Sequence, residues 1–242
     1  LINFANLLNG RLPGSLAHTN IVANMLFGAI SGSAVASATS IGSVMKPLQD
    51  EQGYAPEFST AVNAVSAPTG LLIPPSNTLI LYSLVSGGTS IATLFVAGYI
   101  PGILWGLSCM IVAYVFAKKN NYPVSERVSF KQGLKITLQA LPALSLIIIV
   151  VGGIIFGFFT PTEGSAVAVL YAFLLMLCYR TFSLKNLPAM LFETAKTTGT
   201  VMLLIGASSM MIHIMTIANI PNAIANALLS VSSNPNVIMM LL

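Results

Sequence analysis

The sequence predicts an all-α, polytopic membrane protein in which two of the membrane segments are interrupted. Hydrophobic residues fill 55% of the 242 positions and charged residues only 7%, against roughly 25% charged in an ordinary soluble domain. The stretches left between charged clusters fall at about 20–45, 58–87, 90–117, 136–159, 164–180, 200–217 and 223–242. Most are near the ~20 residues that a spanning helix needs. The first two are rich in Gly, Ser, Thr and Asn, which a simple lipid-facing span does not require.

The chain opens at Leu1 without an initiator Met and stops inside the apolar run Val237-Ile238-Met239-Met240-Leu241-Leu242. That pattern is expected of a piece of a longer protein, so the absence of a targeting segment carries no weight. Residues 20–45 hold Asn24, Ser31, Ser33, Ser37, Thr39, Ser40 and Ser43 with no charge among them. The triplet Ser31-Gly32-Ser33 suits a tight turn and close backbone packing. A re-entrant hairpin that dips into the membrane and turns back there is therefore expected. The plainer reading is a small-residue helix contact, but lipid packing does not ask for so many hydroxyls.

Residues 58–87 lie in a 60-residue stretch, Phe58 to Ala117, without one Asp, Glu, Lys, Arg or His. At its centre stands Gly70-Leu71-Leu72-Ile73-Pro74-Pro75-Ser76-Asn77-Thr78. Two adjacent prolines remove two successive N–H donors, and hydrocarbon cannot satisfy the backbone so exposed. Non-helical chain at that depth is tolerated where it lines a polar cavity or is buried in protein. A broken helix is expected here, with Ser76 or Asn77 capping its outward half. The alternative is a proline kink whose backbone a neighbouring helix satisfies.

A plain span follows at 90–117, then a basic loop at 118–135 holding Lys118, Lys119, Arg127, Lys131 and Lys135. Basic residues collect in cytoplasmic loops, which places this loop inside. Two crossings separate it from Arg180 and Lys185, and two in the other direction return to Lys46, Asp50 and Glu51. Arg11 discriminates. A single crossing by residues 20–45 would put it outside, whereas the hairpin puts all ten Lys and Arg on one side.

Glu163 is the acidic residue of an otherwise uncharged run from Ile136 to Tyr179. An intramembrane carboxylate invites a proton-carrier role. Thr160-Pro161-Thr162-Glu163 reads instead as a capping box that starts helix 161–180, with Thr160 as N-cap and Pro161 at the first helical position. Gly32-Ser33-Ala34-Val35-Ala36 recurs as Gly164-Ser165-Ala166-Val167-Ala168, but the second copy lies in this ordinary capped helix and lacks the polar neighbours of the first. Cys109 and Cys178 lie in apolar spans, where a thiol behaves as a small hydrophobe. His18 and His213 stand without ligand-like spacing, so neither a metal cluster nor a nucleophile–base set assembles. The net charge of +4 reads as membrane topology and not as nucleic-acid binding.

Five motifs in register resemble the large membrane subunit of tripartite ATP-independent periplasmic (TRAP) transporters. They are Asn20 through Ala34 (NIVANMLFGAISGSA), Ile41-Gly42-Ser43, Gly53-Tyr54, Ile73-Pro74-Pro75-Ser76 and Phe159-Thr160-Pro161-Thr162-Glu163. The resemblance implies an elevator-type architecture in the bacterial inner membrane. It makes residues 1–117 part of a first inverted repeat and 136–242 the start of a second. It further implies a sodium-coupled importer of organic anions that works with a small membrane subunit and a periplasmic substrate-binding protein. Carried onto this chain, the ion and substrate site would draw on Ser31, Gly32, Ser33, Gly70, Pro74, Ser76, Asn77 and Thr78. Ser31, Ser33, Ser76 and Asn77 would serve Na⁺, the coupling ion, with no other cofactor. Many members carry an Asp shortly after the hairpin tip where this chain has Ser37, which favours neutral oxygen coordination. Ser76-Asn77-Thr78 also resembles the signature of stand-alone divalent-anion/sodium symporters, which share the architecture. Two further classes compete: a membrane-embedded hydrolase pairing Ser33 or Ser76 with His18 or His213, and a structural scaffold, which would not need the polar, broken segments.

Overall fold

The computed structural model describes residues 1–125, 128–231 and 237–238. Arg127 of the basic loop, and residues 232–236 and 239–242 of the last apolar stretch, lie outside the described residues. Among those described, the regular structure is entirely helical. The chain divides into two compact units, Leu1–Thr181 and Phe182–Leu242.

The first unit begins with α1 (Ile2–Asn9), followed by α2 (Ser15–Ser31) and α3 (Ala34–Glu51). The chain reverses between α2 and α3 at Gly32, whose φ of 61° is the left-handed conformation that glycine adopts without penalty. Ser33 then caps α3 by accepting a hydrogen bond from the Ala36 N–H. The reversal thus falls where the small residues place it, and both arms run past the expected 20–45. Next come α4 (Pro56–Ser66), the single turn α5 (Thr69–Leu72) and α6 (Asn77–Val85). The segment is broken at Ile73-Pro74-Pro75, as the two prolines require, and again at Ala67-Pro68, where the proline also withholds a donor.

Three longer helices follow: α7 (Ile91–Lys119), α8 (Phe130–Ile155) and α9 (Pro161–Cys178). α8 starts six residues before the expected Ile136, so Lys131 and Lys135 stand on its first turns and not in a loop. Hydropathy ends a span at the first charge, but a helix continues into the aqueous interface without cost. α9 opens on a complete capping box: Thr160 accepts from the Glu163 N–H, and the Glu163 carboxylate accepts from the Thr160 N–H at 2.7 Å. The two copies of Gly-Ser-Ala-Val-Ala adopt different structures, a left-handed turn at Gly32 and plain helix at Gly164.

The second unit holds α10 (Leu187–Ile217) and α11 (Ile220–Val231). Among the described residues, four helices, α7 to α10, are long and apolar enough to cross a membrane. Their large side chains are extensively exposed, among them Ile100, Ile111, Ile148, Val169 and Leu203. That is the reverse of a soluble core and suits helices solvated by lipid.

Two apolar cores hold the first unit. One lies between the hairpin arms and the end of α7, around Leu16, Ala17, Ile21, Ile41, Met45 and Ala113. The other joins Phe95 of α7 to Val150, Val151 and Ile154 of α8. At the hairpin base the Gln49 amide donates to Leu16 O. The Gly14 N–H donates to Pro123 O and the Ser125 N–H to Gly10 O. Tyr54 stacks on Tyr122 at 4.2 Å, and burial pushes its phenol up to about 12, so the junction gains no charge there. The open ends of both arms, Arg11 and Lys118–Lys119 are thereby gathered at one end of the unit.

Candidate functional site

The hairpin turn packs directly on the break in the α4–α6 segment. A Cβ added to Gly32 would lie 2.9 Å from Pro75 O and 3.2 Å from the Asn77 N. One turn earlier, a Cβ on Gly28 would lie 2.3 Å from Gly70 Cα, a distance that real side chains do not tolerate. The opposite side of the break is held by α7, where a Cβ on Gly98 would meet Leu72 O at 2.4 Å and one on Gly102 would meet Ile73 at 2.6 Å. Two small-x-x-x-small rows, Gly28–Gly32 and Gly98–Gly102, therefore clamp the break from both sides. That is the close backbone packing such spacing serves in membranes.

Polar groups converge on the clamped turn. The Ser31 hydroxyl lies 3.4 Å from the Ser33 N and O across the reversal. Ser76 is fully buried; its hydroxyl donates to Leu71 O and accepts from the Leu79 N–H, closing the end of α5 and capping α6 with one side chain. Of the two capping candidates, Ser76 is the cap. Asn77 is exposed on the first turn of α6, with its backbone N against Gly32. Thr78 is exposed beside it. Gly70 and Pro74 are buried, Gly70 against Gly28 and Pro74 within the break.

Of the eight residues singled out for the site, the structure brings Ser31, Gly32 and Ser33 together with Gly70, Pro74, Ser76 and Asn77, and leaves Thr78 at the periphery. The N-termini of α3 and α6 and the C-terminus of α2 meet there. Free N–H groups at helix starts favour a carboxylate and free carbonyls at helix ends favour a cation, so both signs of ligand find complementary backbone.

A second polar layer lies behind the turn. Asn24 donates to Asn20 Oδ1 at 2.9 Å, Asn63 Oδ1 at 3.1 Å and Ser66 Oγ at 2.8 Å. Asn63 donates in turn to Ala38 O at 2.8 Å. The buried Ser37 hydroxyl has no hydrogen-bond partner among the described residues and lies 3.1 Å from where a Gly70 Cβ would stand. Gly28, Gly98, Gly102 and Asn63 are the residues that reading the sequence missed. The four-residue glycine spacing was a visible signal for three of them, and only tertiary contact reveals Asn63.

Among the described residues no three His, Cys, Asp or Glu side chains gather. His18 sits on the first turn of α2 and Ser31 ends it, a separation of about 20 Å at 1.5 Å per residue. That distance removes His18 as a base for the turn hydroxyls.

The family described as tripartite ATP-independent periplasmic transporter, DctM component, matches residues 1–242. Among similar proteins, YgiK of Salmonella typhimurium is 53% identical over the whole chain and 56% of its own length. The sialic acid TRAP transporter large permease protein SiaM of Vibrio cholerae is 38% identical over the whole chain and 57% of its own length. The C4-dicarboxylate TRAP transporter large permease protein DctM of Pseudomonas aeruginosa is 37% identical over 97% of the chain and 55% of its own length. The chain thus spans about half the length of the curated relatives it matches.

Proposed function

This chain belongs to the family of DctM components of TRAP transporters, and from that premise we propose that it is part of the large membrane subunit of a sodium-coupled importer of a small carboxylate. The observation that carries the reading is the packing of the Gly32 turn on the Pro75–Asn77 break. Ser31, Ser33, Ser76 and Asn77 supply neutral oxygens to Na⁺, and the N-termini of α3 and α6 receive the substrate carboxylate. This is how secondary transporters present helix ends near the bilayer midplane. The hairpin is re-entrant with its base in the cytoplasm, which the grouping of Arg11 with Lys118 and Lys119 at one end supports. A small membrane subunit and a periplasmic binding protein complete the system. Relatives named for sialic acid and C4-dicarboxylates support an organic acid as substrate.

Importing an anion against an inside-negative potential costs about 2.3 kcal/mol per charge per 100 mV. Co-entering Na⁺ offsets this when its number exceeds the substrate's negative charge. Proteoliposomes holding the full-length transporter and its small subunit, given the binding protein, should accumulate the carboxylate only under an inward sodium gradient, and faster when the interior is negative. Equal uptake with sodium dissipated and ATP supplied would overturn this. Uptake without a binding protein would instead favour the stand-alone divalent-anion/sodium symporter, and hydrolysis without accumulation the membrane-embedded hydrolase.

A further inference from the structure

Where the hairpin meets the broken segment the contact is glycine against backbone, and such a contact does not fix register. Helices stop along one another where side-chain ridges enter grooves. Gly28, Gly32 and Gly70 present no ridge, so they set how closely the backbones approach and not where along the axis they come to rest. Nearer the base, Phe58 and Val62 of α4 pack on the hairpin core, but apolar burial is non-directional. Register therefore falls to hydrogen bonds, which weaken steeply away from their preferred geometry. Among the described residues, those between the hairpin (α2 and α3) and the broken segment (α4 to α6) run from Asn24 to Asn63, from Asn24 to Ser66 and from Asn63 to Ala38 O.

Asn63 is the side chain that reaches both arms. Its Oδ1 accepts from Asn24 of α2 at 3.1 Å and its Nδ2 donates to Ala38 O of α3 at 2.8 Å. α3 is notched to admit it, since a Cβ on Gly42 would lie 2.5 Å from Asn63 Nδ2. Along α2, Asn24, Gly28 and Gly32 follow one another at four-residue steps, so the amide pair lies about 12 Å behind the turn at 1.5 Å per residue. Loss of Asn63 leaves no buried donor stranded. The Asn24 amide carries two protons and faces Asn20 Oδ1, Asn63 Oδ1 and Ser66 Oγ, so without Asn63 each proton still finds an acceptor. Ala38 O keeps its place in the α3 ladder. A variant at this position thus separates register from polar satisfaction.

Resting on the sodium site proposed above, we infer that Asn63 is the positioning residue of that site. It does not touch the ion. By tying α4 to both arms at once it holds Ser31 and Ser33 of the turn opposite Ser76 and Asn77 of the break. Partners one layer out from a metal ion typically carry about 10- to 100-fold of its affinity.

The test compares the full-length transporter with Asn63→Leu, which keeps size and branching and removes both hydrogen bonds, and with Asn63→Ala in case leucine does not fit the notch. Thr60→Ala is the control, an exposed position on the same helix whose hydroxyl serves its own backbone. Radioactive sodium binding is titrated on each protein. Spin-label distances are measured between Val35→Cys on α3 and Tyr82→Cys on α6, both exposed, with the native cysteines replaced by serine. The Asn63 variants should bind sodium about 10- to 100-fold more weakly while uptake at saturating sodium keeps the parental rate. Their distance distribution should be broader than the parent's without sodium and sharpen when sodium saturates. Thr60→Ala should match the parent throughout. Parental sodium affinity in both Asn63 variants, or a distribution as sharp as the parent's, would overturn the inference and leave the sodium site standing, and equal weakening in Thr60→Ala would do the same. A parent that binds no sodium would instead remove the site itself.

Discussion

Substituting Gly28 by alanine strikes the closest approach in the candidate site. The new methyl would lie 2.3 Å from Gly70 Cα, whereas carbon atoms settle at about 3.5–4.0 Å. Backbone cannot rotate away as a long side chain can, so the hairpin and the α5 turn must separate by about 1.2–1.7 Å, from those two distances. Overpacking of this kind costs about 1–3 kcal/mol. Site geometry tolerates only about 0.5 Å of displacement, so the strain falls on the ion-binding arrangement. If it appears there in full, sodium affinity weakens about 5- to 150-fold, at 1.4 kcal/mol per tenfold. The assay is sodium-dependent uptake by the full-length complex, with thermal unfolding measured alongside. Gly152→Ala is the control, because a Cβ there meets nothing within 4 Å. A Gly28→Ala protein with the sodium dependence and melting temperature of the parent would refute the clamp.

Removing coordinating oxygens should act without strain: Ser31→Ala and Ser33→Ala should each raise the sodium concentration for half-maximal uptake about tenfold, the weight of one ~1.5 kcal/mol charge-assisted bond, and unchanged values in both would remove the turn hydroxyls from the site. Cysteines at the exposed positions Arg11, Glu51 and Asn120 should all react with an impermeant thiol reagent from the cytoplasmic side only; labelling of the Arg11 position from the periplasm while Glu51 labels from the cytoplasm would show that residues 20–45 cross the membrane once. Thr160→Ala should cost about 1 kcal/mol of stability through the lost cap while sodium dependence stays unchanged, whereas a shifted pH profile of transport in Glu163→Gln would return Glu163 to a proton-carrying role.

Breaks were legible because they depend on single residues. Gly32 permits a left-handed turn, Pro74-Pro75 withholds two donors, and Thr160 with Glu163 satisfies a helix start, each regardless of distant neighbours. Boundaries were less legible: the helices reach past the last apolar residue, so α8 begins at Phe130 and α10 at Leu187, because charged side chains end a hydropathy window without ending a helix. At the site, the polar residues could be named from the sequence, but which of them meet could not. The meeting is set by glycines, whose effect is the absence of a side chain, and by the Asn24–Asn63 contact between positions 39 apart in the chain.

Direct sodium binding addresses the turn–break junction without reference to substrate or partners. Radioactive sodium is titrated into the purified full-length protein and into its Ser33→Ala/Asn77→Ala variant, with thermal unfolding showing that both are folded. The parent should bind saturably, and the folded variant should bind at least tenfold more weakly. Equal saturable binding in both proteins would place the coupling ion elsewhere and contradict the role assigned to Ser33 and Asn77.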